Sequence, residues 1–395
     1  MKTWMGTVTR VLWRILAFAL LVVLPDEAPA GGLRGDLRNA PALIGIPPAA
    51  LGAGYRNAVD ALVDSVPRRL PLPSASAAFT YRFDAASGTY ERTSETFGPM
   101  LFMERPQTIG KYAWNVGVSG QYLELDEFDG KSIGRDPFPV NVPGRGTVTY
   151  LTTPKFIYHL ATVSVTYGLL DDLDLNVTVP LAAADNDINI SLVDENGGFF
   201  FNTEHSKVSL GVGDVRVRAK YRTCEWQGLT SAVGVVARLP SGSTDDGLGT
   251  GDFEIGPYLA ISKLWGDRVE TQWNAGFDFD TMDSIESSAH YAFGVNVQAV
   301  KEWLDLGVSF LGRSEVDGLR SDASISGPHQ TPAGPALTPY GGYSFDRKDY
   351  FDVSAGARVK LWRTLVLTLS ALKALNEDGL RSSEWSPVGA LEASF

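Results

Sequence analysis

The sequence predicts an all-β protein, an antiparallel transmembrane β-barrel of about 12 strands preceded by a short helical or irregular extension. Twelve stretches alternate apolar and polar residues with a period of two, and most reach the ~9–11 residues that a tilted strand needs to cross a bilayer. The connections between these stretches alternate strictly between short turns and longer loops. An even number of strands with every short turn at one end is typical of outer-membrane barrels.

The 12 predicted strands share this alternation. They cover residues 113–125, 155–168, 172–188, 211–223, 229–240, 252–264, 268–281, 289–301, 304–315, 349–361, 364–374 and 386–395. The short turns are 169–171, 224–228, 265–267, 302–303 and 362–363, and the longest loops are 126–154, 189–210 and 316–348. We expect the short turns on the periplasmic side and the long loops outside the cell.

Tryptophan residues mark the end that carries the short turns. Trp226, Trp265, Trp303 and Trp362 lie in or beside those turns, and Trp114 begins the first strand at the same level. An indole ring at a membrane surface buries its apolar body while its N–H stays hydrated. These five residues therefore predict an interfacial aromatic girdle.

Alternation alone does not separate a membrane barrel from a soluble sheet, because a soluble sandwich also alternates with its apolar face inward. Strand length, the even count, the loop alternation and the one-ended tryptophans together favour the barrel. Its strands must then close on each other, since an unpaired backbone group finds no water in the hydrocarbon. We expect apolar faces toward lipid and polar faces toward the lumen.

The chain before the barrel divides into three parts. Residues 1–30 predict a signal peptide for export to the bacterial outer membrane, with basic residues before the apolar run at 15–24. Residues 31–75 are rich in Ala and Pro, with one short helix across 50–66, and we interpret them as a periplasmic extension. Residues 76–110 predict a hairpin and a linker before the barrel at 111–395. The hairpin at 77–95 either plugs the lumen, where Phe79, Tyr81 and Phe83 could line an apolar path, or joins the wall to make 14 strands.

Charge and composition exclude several classes of function. The formal net charge of -12 argues against nucleic-acid binding. Cys224 is the only cysteine, so an internal disulfide and a closed cysteine-based metal site are excluded. The four histidines are scattered without a catalytic or metal-binding spacing, and we interpret the acidic loop 241–254 as a solvated surface loop. We therefore expect no enzyme activity, no metal and no cofactor.

The stretch "GDVRVRAKYR" (213–222) raises a question about the lumen. Its alternate positions form a basic ladder of Arg216, Arg218, Lys220 and Arg222 on the inward face. The ladder could form a constriction that favours anions, or it could pair with carboxylates of facing walls or with Glu91 and Glu95 of the hairpin. The other charges predicted to face the lumen are Asp174, Arg238, Glu254, Glu270, Asp278, Asp280, Asp305, Arg313, Asp352, Arg358, Lys360 and Glu392.

Four segments resemble a known family. They are "FGPMLFMERPQTIGKYAWNVGVSGQYLELDEFDG" (97–130), "YGLLDDLDLNVTVPL" (167–181), "GVGDVRVRAKYR" (211–222) followed by "VVARLPSGS" (235–243), and the closing "EASF". Their order is similar to that in the phenol-degradation MetA-pathway transporter-like family of bacterial outer-membrane proteins. The resemblance covers roughly residues 76–395 and implies a channel through which small molecules, aromatic or hydrophobic compounds among them, pass the outer membrane.

The end of the chain also resembles a feature of outer-membrane proteins. A terminal strand that closes on Phe395 is similar to the strand through which the barrel-assembly machinery recognises its clients. The partners expected for this chain are therefore outer-membrane lipid, the assembly machinery and a small-molecule solute. The alternative is a barrel that does not transport, either an adhesin-like surface protein or a lipid-acting enzyme.

Overall fold

The computed structural model describes most of the chain after the predicted signal segment. The described residues are 32–44, 52–69, 72–74, 81–84, 89–92, 96–133, 138–142, 146–193, 199–281, 287–316, 329–331, 334–336, 347–362 and 364–395. Two α-helices come first, α1 (Gly32–Asn39) and α2 (Gly52–Arg69), with a 3-10 helix (Ala40–Ile44) after α1. The signal segment predicted at 1–30 lies outside the described residues.

The strands follow in chain order. Their bounds are Tyr81–Asp84 (β1), Thr89–Arg92 (β2), Trp114–Leu125 (β3), Glu127–Phe128 (β4), Lys131–Ser132 (β5), Phe138–Val142 (β6), Gly146–Leu170 (β7), Leu173–Val193 (β8), Phe199–Val212 (β9), Val215–Trp226 (β10), Leu229–Leu239 (β11), Glu254–Trp265 (β12), Val269–Asp280 (β13), Ser288–Val300 (β14), Leu304–Glu315 (β15), His329–Thr331 (β16), Gly334–Ala336 (β17), Asp349–Trp362 (β18), Leu365–Ala374 (β19), Leu380–Arg381 (β20) and Ser386–Ser394 (β21).

Twelve of these strands form a closed antiparallel barrel, as the sequence predicts. The wall consists of β3, β7, β8, β10, β11, β12, β13, β14, β15, β18, β19 and β21. Closure occurs where β3 pairs with both β21 and β7, and where β7 continues the ladder to β8. The hairpin β1–β2 forms a separate two-stranded sheet, so the alternative of 14 wall strands is wrong.

Two regions predicted as long loops are largely strand. The wall strand β7 begins at Gly146, and β9 pairs with the far half of β8. Residues 185–188, at the end of the predicted strand 172–188, are rich in Asp and Asn, and backbone pairing on both sides holds them extended. The strand β8 pairs with β9 along residues 181–193 and with β10 along residues 173–178. The register changes by one residue between the pairs Leu181–Val212 and Thr178–Arg216, at Gly213 and Asp214.

The short turns use backbone conformations that few residue types adopt. Gln227 and Gly228 connect β10 to β11, and both have positive φ, 48° and 75°. A two-residue turn of this hand matches the right-handed twist of the strands it joins. The turn therefore keeps β10 and β11 in a tight hairpin at the end of the barrel that carries the tryptophans.

The polarity of the wall is the reverse of that of a soluble protein. Large apolar side chains are exposed on the outside, among them Val217, Tyr221 and Val233, which is 46% exposed at mid-wall. The inward positions hold polar groups instead, among them Gln272 and Asn296, both at most 1% exposed. An apolar outer band around a polar interior is the arrangement that a bilayer requires of a β-barrel.

The N-terminal helices fill the long-loop end of the lumen. Val59, Val63 and Val66 of α2 belong to the same buried apolar cluster as Tyr158, an inward residue of β7, and Leu248 of the loop 240–253. This differs from the expected periplasmic extension, because the helices lie at the end opposite the short turns. The reason is the apolar face of α2, which the inward aromatic and aliphatic residues of the extended β7–β8 hairpin cover. No helix among the described residues is long and apolar enough to cross a membrane.

Candidate functional site

The chain crosses the lumen between the helices and the first wall strand. We call residues 96–110 the lumen segment. It is anchored near one wall by Phe97, whose N–H donates to Asp305 (2.9 Å) and whose carbonyl accepts from Arg358 (2.5 Å). At its other end the N–H of Ile109 donates to Asp174 (3.1 Å). The segment therefore spans the barrel from β15 and β18 to β8.

Wall residues fit closely around the middle of the lumen segment. Glu104 and Asn274 exchange two hydrogen bonds, from Glu104 N–H to Asn274 (2.7 Å) and from the Asn274 amide to the Glu104 carbonyl (2.9 Å). Met100 and Met103 occupy the spaces beside two inward glycines: a Cβ at Gly307 would lie 2.7 Å from Met100, and one at Gly294 would lie 2.6 Å from Met103. The lumen segment thus closes the short-turn end with a shape matched to the wall.

The two middle residues of the basic ladder contact carboxylates directly. Arg218 lies 2.9 Å from Glu104 of the lumen segment, and Lys220 lies 3.4 Å from Asp174. Lys220 also donates to the carbonyls of Arg105 (3.0 Å) and Gln107 (2.8 Å).

The two outermost rungs differ from each other. Arg222 pairs with Asp172 and Glu225, each at 2.5 Å, near the short turns. Arg216 has no ion pair or hydrogen bond within the described part of the chain, and its side chain borders a cavity. Glu95 and the side chain of Glu91, the partners expected on the hairpin, lie outside the described residues, so their pairing with the basic ladder stays a prediction.

Wall arginines hold the C-terminal end of α2. Arg238 donates to the carbonyl of Pro67 (3.3 Å), and Arg313 donates to the carbonyl of Arg68 (2.7 Å). Carbonyl groups at a helix C-terminus carry partial negative charge, so guanidinium groups stabilise this end. The contacts fix α2 to β11 and β15 at the long-loop end of the lumen.

Asp214 organises the rim beside α2. This buried carboxylate accepts from Arg238 Nε (2.9 Å) and from the backbone N–H groups of Gly242 (3.0 Å) and Thr250 (2.8 Å). One side chain therefore positions both an inward arginine and the loop 240–253. Asp214 was not among the predicted residues because it lies at the register shift between β9 and β10, where the alternation is interrupted.

The acidic loop contacts the helices. Asp245 lies 3.2 Å from Arg34 of α1, and Asp246 accepts from Ser209 (3.1 Å). Burial raises the pKa of Asp252, and the nearby charge of Asp280 raises it further. Within the described ranges, no group of three or more His, Cys, Asp or Glu side chains could hold a metal ion.

A cavity of about 280 Å³ lies in the lumen between α2 and the lumen segment. Leu72 borders it on the side of α2, and Phe102 and Glu104 border it on the side of the lumen segment. Arg216 and Tyr258 line its wall. A second space of about 220 Å³ adjoins it toward the long-loop end and shares Leu72, Arg216, Arg238, Glu254 and Asp278 with it.

Two inward glycines make room for an acid–histidine pair at the cavity. Asp278 lies 3.3 Å from Nδ1 of His290. A Cβ at Gly256 would lie 2.3 Å from Asp278, and one at Gly276 would lie 2.2 Å from His290. The side chains of Asp278 and His290 thus cross neighbouring strands to meet, an arrangement that larger residues at these positions would block.

The other residues predicted to face the lumen are buried or half-buried. The buried ones are Asp174, Arg238, Glu270, Asp305 and Arg358, and the half-buried ones are Glu254, Asp278, Asp280, Arg313, Asp352, Lys360 and Glu392. Their partners include residues that the sequence analysis missed: Thr96 donates to Glu270, and Arg381 lies 2.7 Å from Asp352. Thr96 and Arg381 lie outside the long alternating strands, so no periodicity pointed to them.

The five tryptophans of the expected girdle are all exposed at the short-turn end. They are Trp114, Trp226, Trp265, Trp303 and Trp362. The chain end lies at the same level, because the N–H and carbonyl of Phe395 exchange hydrogen bonds with Trp114 (2.9 and 2.7 Å). The last wall strand, β21, thereby meets the first, β3, beside Phe395.

Several solved outer-membrane proteins are similar to this chain in fold. An outer membrane channel from Pseudomonas putida F1 aligns over 73% of this chain and 97% of its own, with a TM-score of 0.49 and 13% identity. The KdgM porin aligns over 70% and 99%, with a TM-score of 0.37 and 8% identity. A FadL homologue from Pseudomonas aeruginosa aligns over 72% and 90%, with a TM-score of 0.33 and 10% identity. No curated protein sequence matches the chain.

The sequence itself matches one protein family. The match runs over residues 134–364, from just after β5 to just before β19, and so covers more than half of the 395 residues. It includes the basic ladder and most of the cavity wall, and it agrees with the resemblance seen in the sequence. The chain belongs to the family described as the putative MetA-pathway of phenol degradation.

Proposed function

We propose that this protein is an outer-membrane channel through which small molecules pass by diffusion. The observation that carries the proposal is the reversed polarity of the closed 12-strand wall, apolar outside and polar inside. Such a wall is stable only where hydrocarbon covers its outer face. The short turns would then face the periplasm, and β21 with Phe395 would be the element that the assembly machinery recognises.

The cavity supports a role in transport rather than in anchoring alone. It lies inside the wall, at mid-lumen, and combines apolar side chains such as Leu72 and Phe102 with charged ones such as Arg216. Its volume of about 280 Å³ lies just below the ~300–1,000 Å³ typical of small-molecule sites. We therefore expect solutes of about the size of one aromatic ring.

A second candidate is a barrel that does not transport. The filled lumen favours it, because α2 occupies the long-loop end and the lumen segment occupies the other end. Because α2 and the lumen segment lie one after the other along the lumen, a channel of this design must provide a path past both of them. The two candidates therefore differ in whether solute crosses a membrane that contains the protein.

Liposome swelling with the purified full chain separates the two candidates. The solute panel contains sodium benzoate, glucose and a trisaccharide, which cross a protein-free bilayer slowly, and protein-free liposomes are the control. We expect protein-dependent swelling with the ring-sized solutes and none with the trisaccharide, because the latter exceeds the cavity. No protein-dependent swelling with any solute would contradict the channel and support the non-transporting barrel.

A further inference from the structure

Arginines and carboxylates together line the two adjoining cavities. Six arginines and four carboxylates line them: Arg68, Arg216, Arg218, Arg238, Arg313 and Arg381, against Glu104, Glu254, Asp278 and Asp352. Three of these arginines have a lining carboxylate in direct contact: Arg218 with Glu104, Arg238 with Glu254 and Arg381 with Asp352. Asp278 is in contact with His290 instead. Arg238 also contacts Asp214, a carboxylate outside the lining, at 2.9 Å. Two lining arginines, Arg216 and Arg313, contact no carboxylate directly within the described residues.

Arg216 and Arg313 both border the cavity of about 220 Å³. Arg313 donates to Ser288 (3.0 Å) and to the carbonyl of Arg68 (2.7 Å), and it contacts no carboxylate within the described residues. Arg216 has no direct partner there at all. A guanidinium presents five N–H donors in a planar fork that matches a carboxylate. The Arg216 and Arg313 side chains therefore have N–H groups available to hydrogen-bond a ligand.

A further donor and an apolar surface lie beside Arg216. Tyr258 lines the larger cavity, and in the described structure its hydroxyl is buried with no hydrogen-bond partner. Leu72, Phe102, Val236 and Leu311 give the same cavity apolar walls. A ligand that fills this space needs an anionic or accepting group at one end and an apolar body at the other.

We propose that the cavity binds a small organic carboxylate with an apolar or aromatic body. The carboxylate accepts hydrogen bonds from Arg216, with Arg313 supplying a second positive charge and Tyr258 a hydroxyl donor. The ring or chain of the ligand packs against Leu72 and Phe102. This inference rests on the proposed function, since it names the solute class that the channel selects.

Calorimetric titration of the full-length protein in detergent tests the site with benzoate as the probe and benzyl alcohol as a neutral probe of similar size. The variants are R216Q, R216K and R313Q, with K263Q as the matched control, because Lys263 lies near the short turn and donates to Gln227 instead (2.6 Å). We expect wild type to bind benzoate more tightly than benzyl alcohol. R216Q should weaken benzoate binding about tenfold or more, the usual scale for a charge-assisted contact.

R216K keeps the positive charge and should weaken benzoate binding less than R216Q does. R313Q should also weaken it, and K263Q should leave it within about twofold of wild type, since an exposed charge outside the cavity contributes little. A heat-dependent shift in gel mobility verifies that each variant is folded. Folded wild type that binds benzoate no better than benzyl alcohol, or R216Q that binds it unchanged, would overturn the carboxylate site.

Failure of the site and failure of the channel give different results. Protein-dependent swelling with glucose, together with no preference for benzoate over benzyl alcohol in the titration, would leave the channel in place and reject the carboxylate site. Benzoate binding that depends on Arg216, without swelling for any solute, would support the site and contradict transport.

Discussion

Individual residues of the basic ladder have different roles, although the sequence presents them as equivalent. Lys220 is buried and makes three contacts, with Asp174 and with the carbonyls of Arg105 and Gln107, whereas Arg216 lines the cavity without a direct partner within the described ranges. Period-two alternation predicts which face of a strand a residue occupies. It carries no information about which segment crosses the lumen opposite that face, so partners such as Glu104 and Gln107 could not be predicted.

Replacement of Lys220 tests whether the buried contacts of this residue stabilise the barrel. Lys220→Gln leaves Asp174 without its ion pair in a buried site, and we expect the free energy of unfolding to fall by about 3 kcal/mol. Urea unfolding of the protein in lipid vesicles, followed by tryptophan fluorescence, measures it. Lys301→Gln is the control, because Lys301 pairs with Asp267 at the exposed short-turn end (3.3 Å) and should cost at most about 1 kcal/mol. Equal losses in the two variants would contradict a structural role for Lys220.

The elements show which sequence signals are sufficient. All 12 wall strands were predicted, because alternation and turn composition agree there, and most differ only slightly at their ends. The exception is β7, which begins at Gly146, about nine residues before the predicted start. The strand β9 was missed since its middle, "NTEHSK" (202–207), is polar throughout and shows no apolar alternation. The apolar face of α2 was predicted, but its place in the lumen was not, because amphipathicity does not identify the surface that covers it.

The position of α2 predicts that it restricts the lumen. Val63→Asp places a carboxylate at a residue that is 0% exposed within the apolar cluster, and we expect α2 to leave its site and the conductance steps in planar bilayers to grow. Arg56→Asp on the exposed side of the same helix is the control and should leave the steps unchanged. Steps of equal size in Val63→Asp, Arg56→Asp and wild type would show that α2 does not limit the path.

The whole molecule is a barrel whose outer face suits hydrocarbon and whose interior is filled by its own N-terminal chain. The sequence predicted this polarity from strand parity, even strand count and the one-ended tryptophans, and the structure has a closed wall with that polarity. The sequence did not predict that the chain crosses the lumen from the long-loop end to the short-turn end. Such a crossing depends on contacts far apart in sequence, for example Asp305 with Phe97 and Arg313 with Arg68.

The outer face of β11 offers the most direct test that the barrel lies in a bilayer. Val233 is exposed at mid-wall and Leu239 is exposed at the long-loop end of the same strand. The measurement is the unfolding free energy in lipid vesicles of Val233→Arg and of Leu239→Arg. A membrane barrel predicts a loss of about 2–4 kcal/mol for Val233→Arg and at most about 1 kcal/mol for Leu239→Arg. Equal and small losses at the two positions would mean that water, rather than hydrocarbon, covers this face.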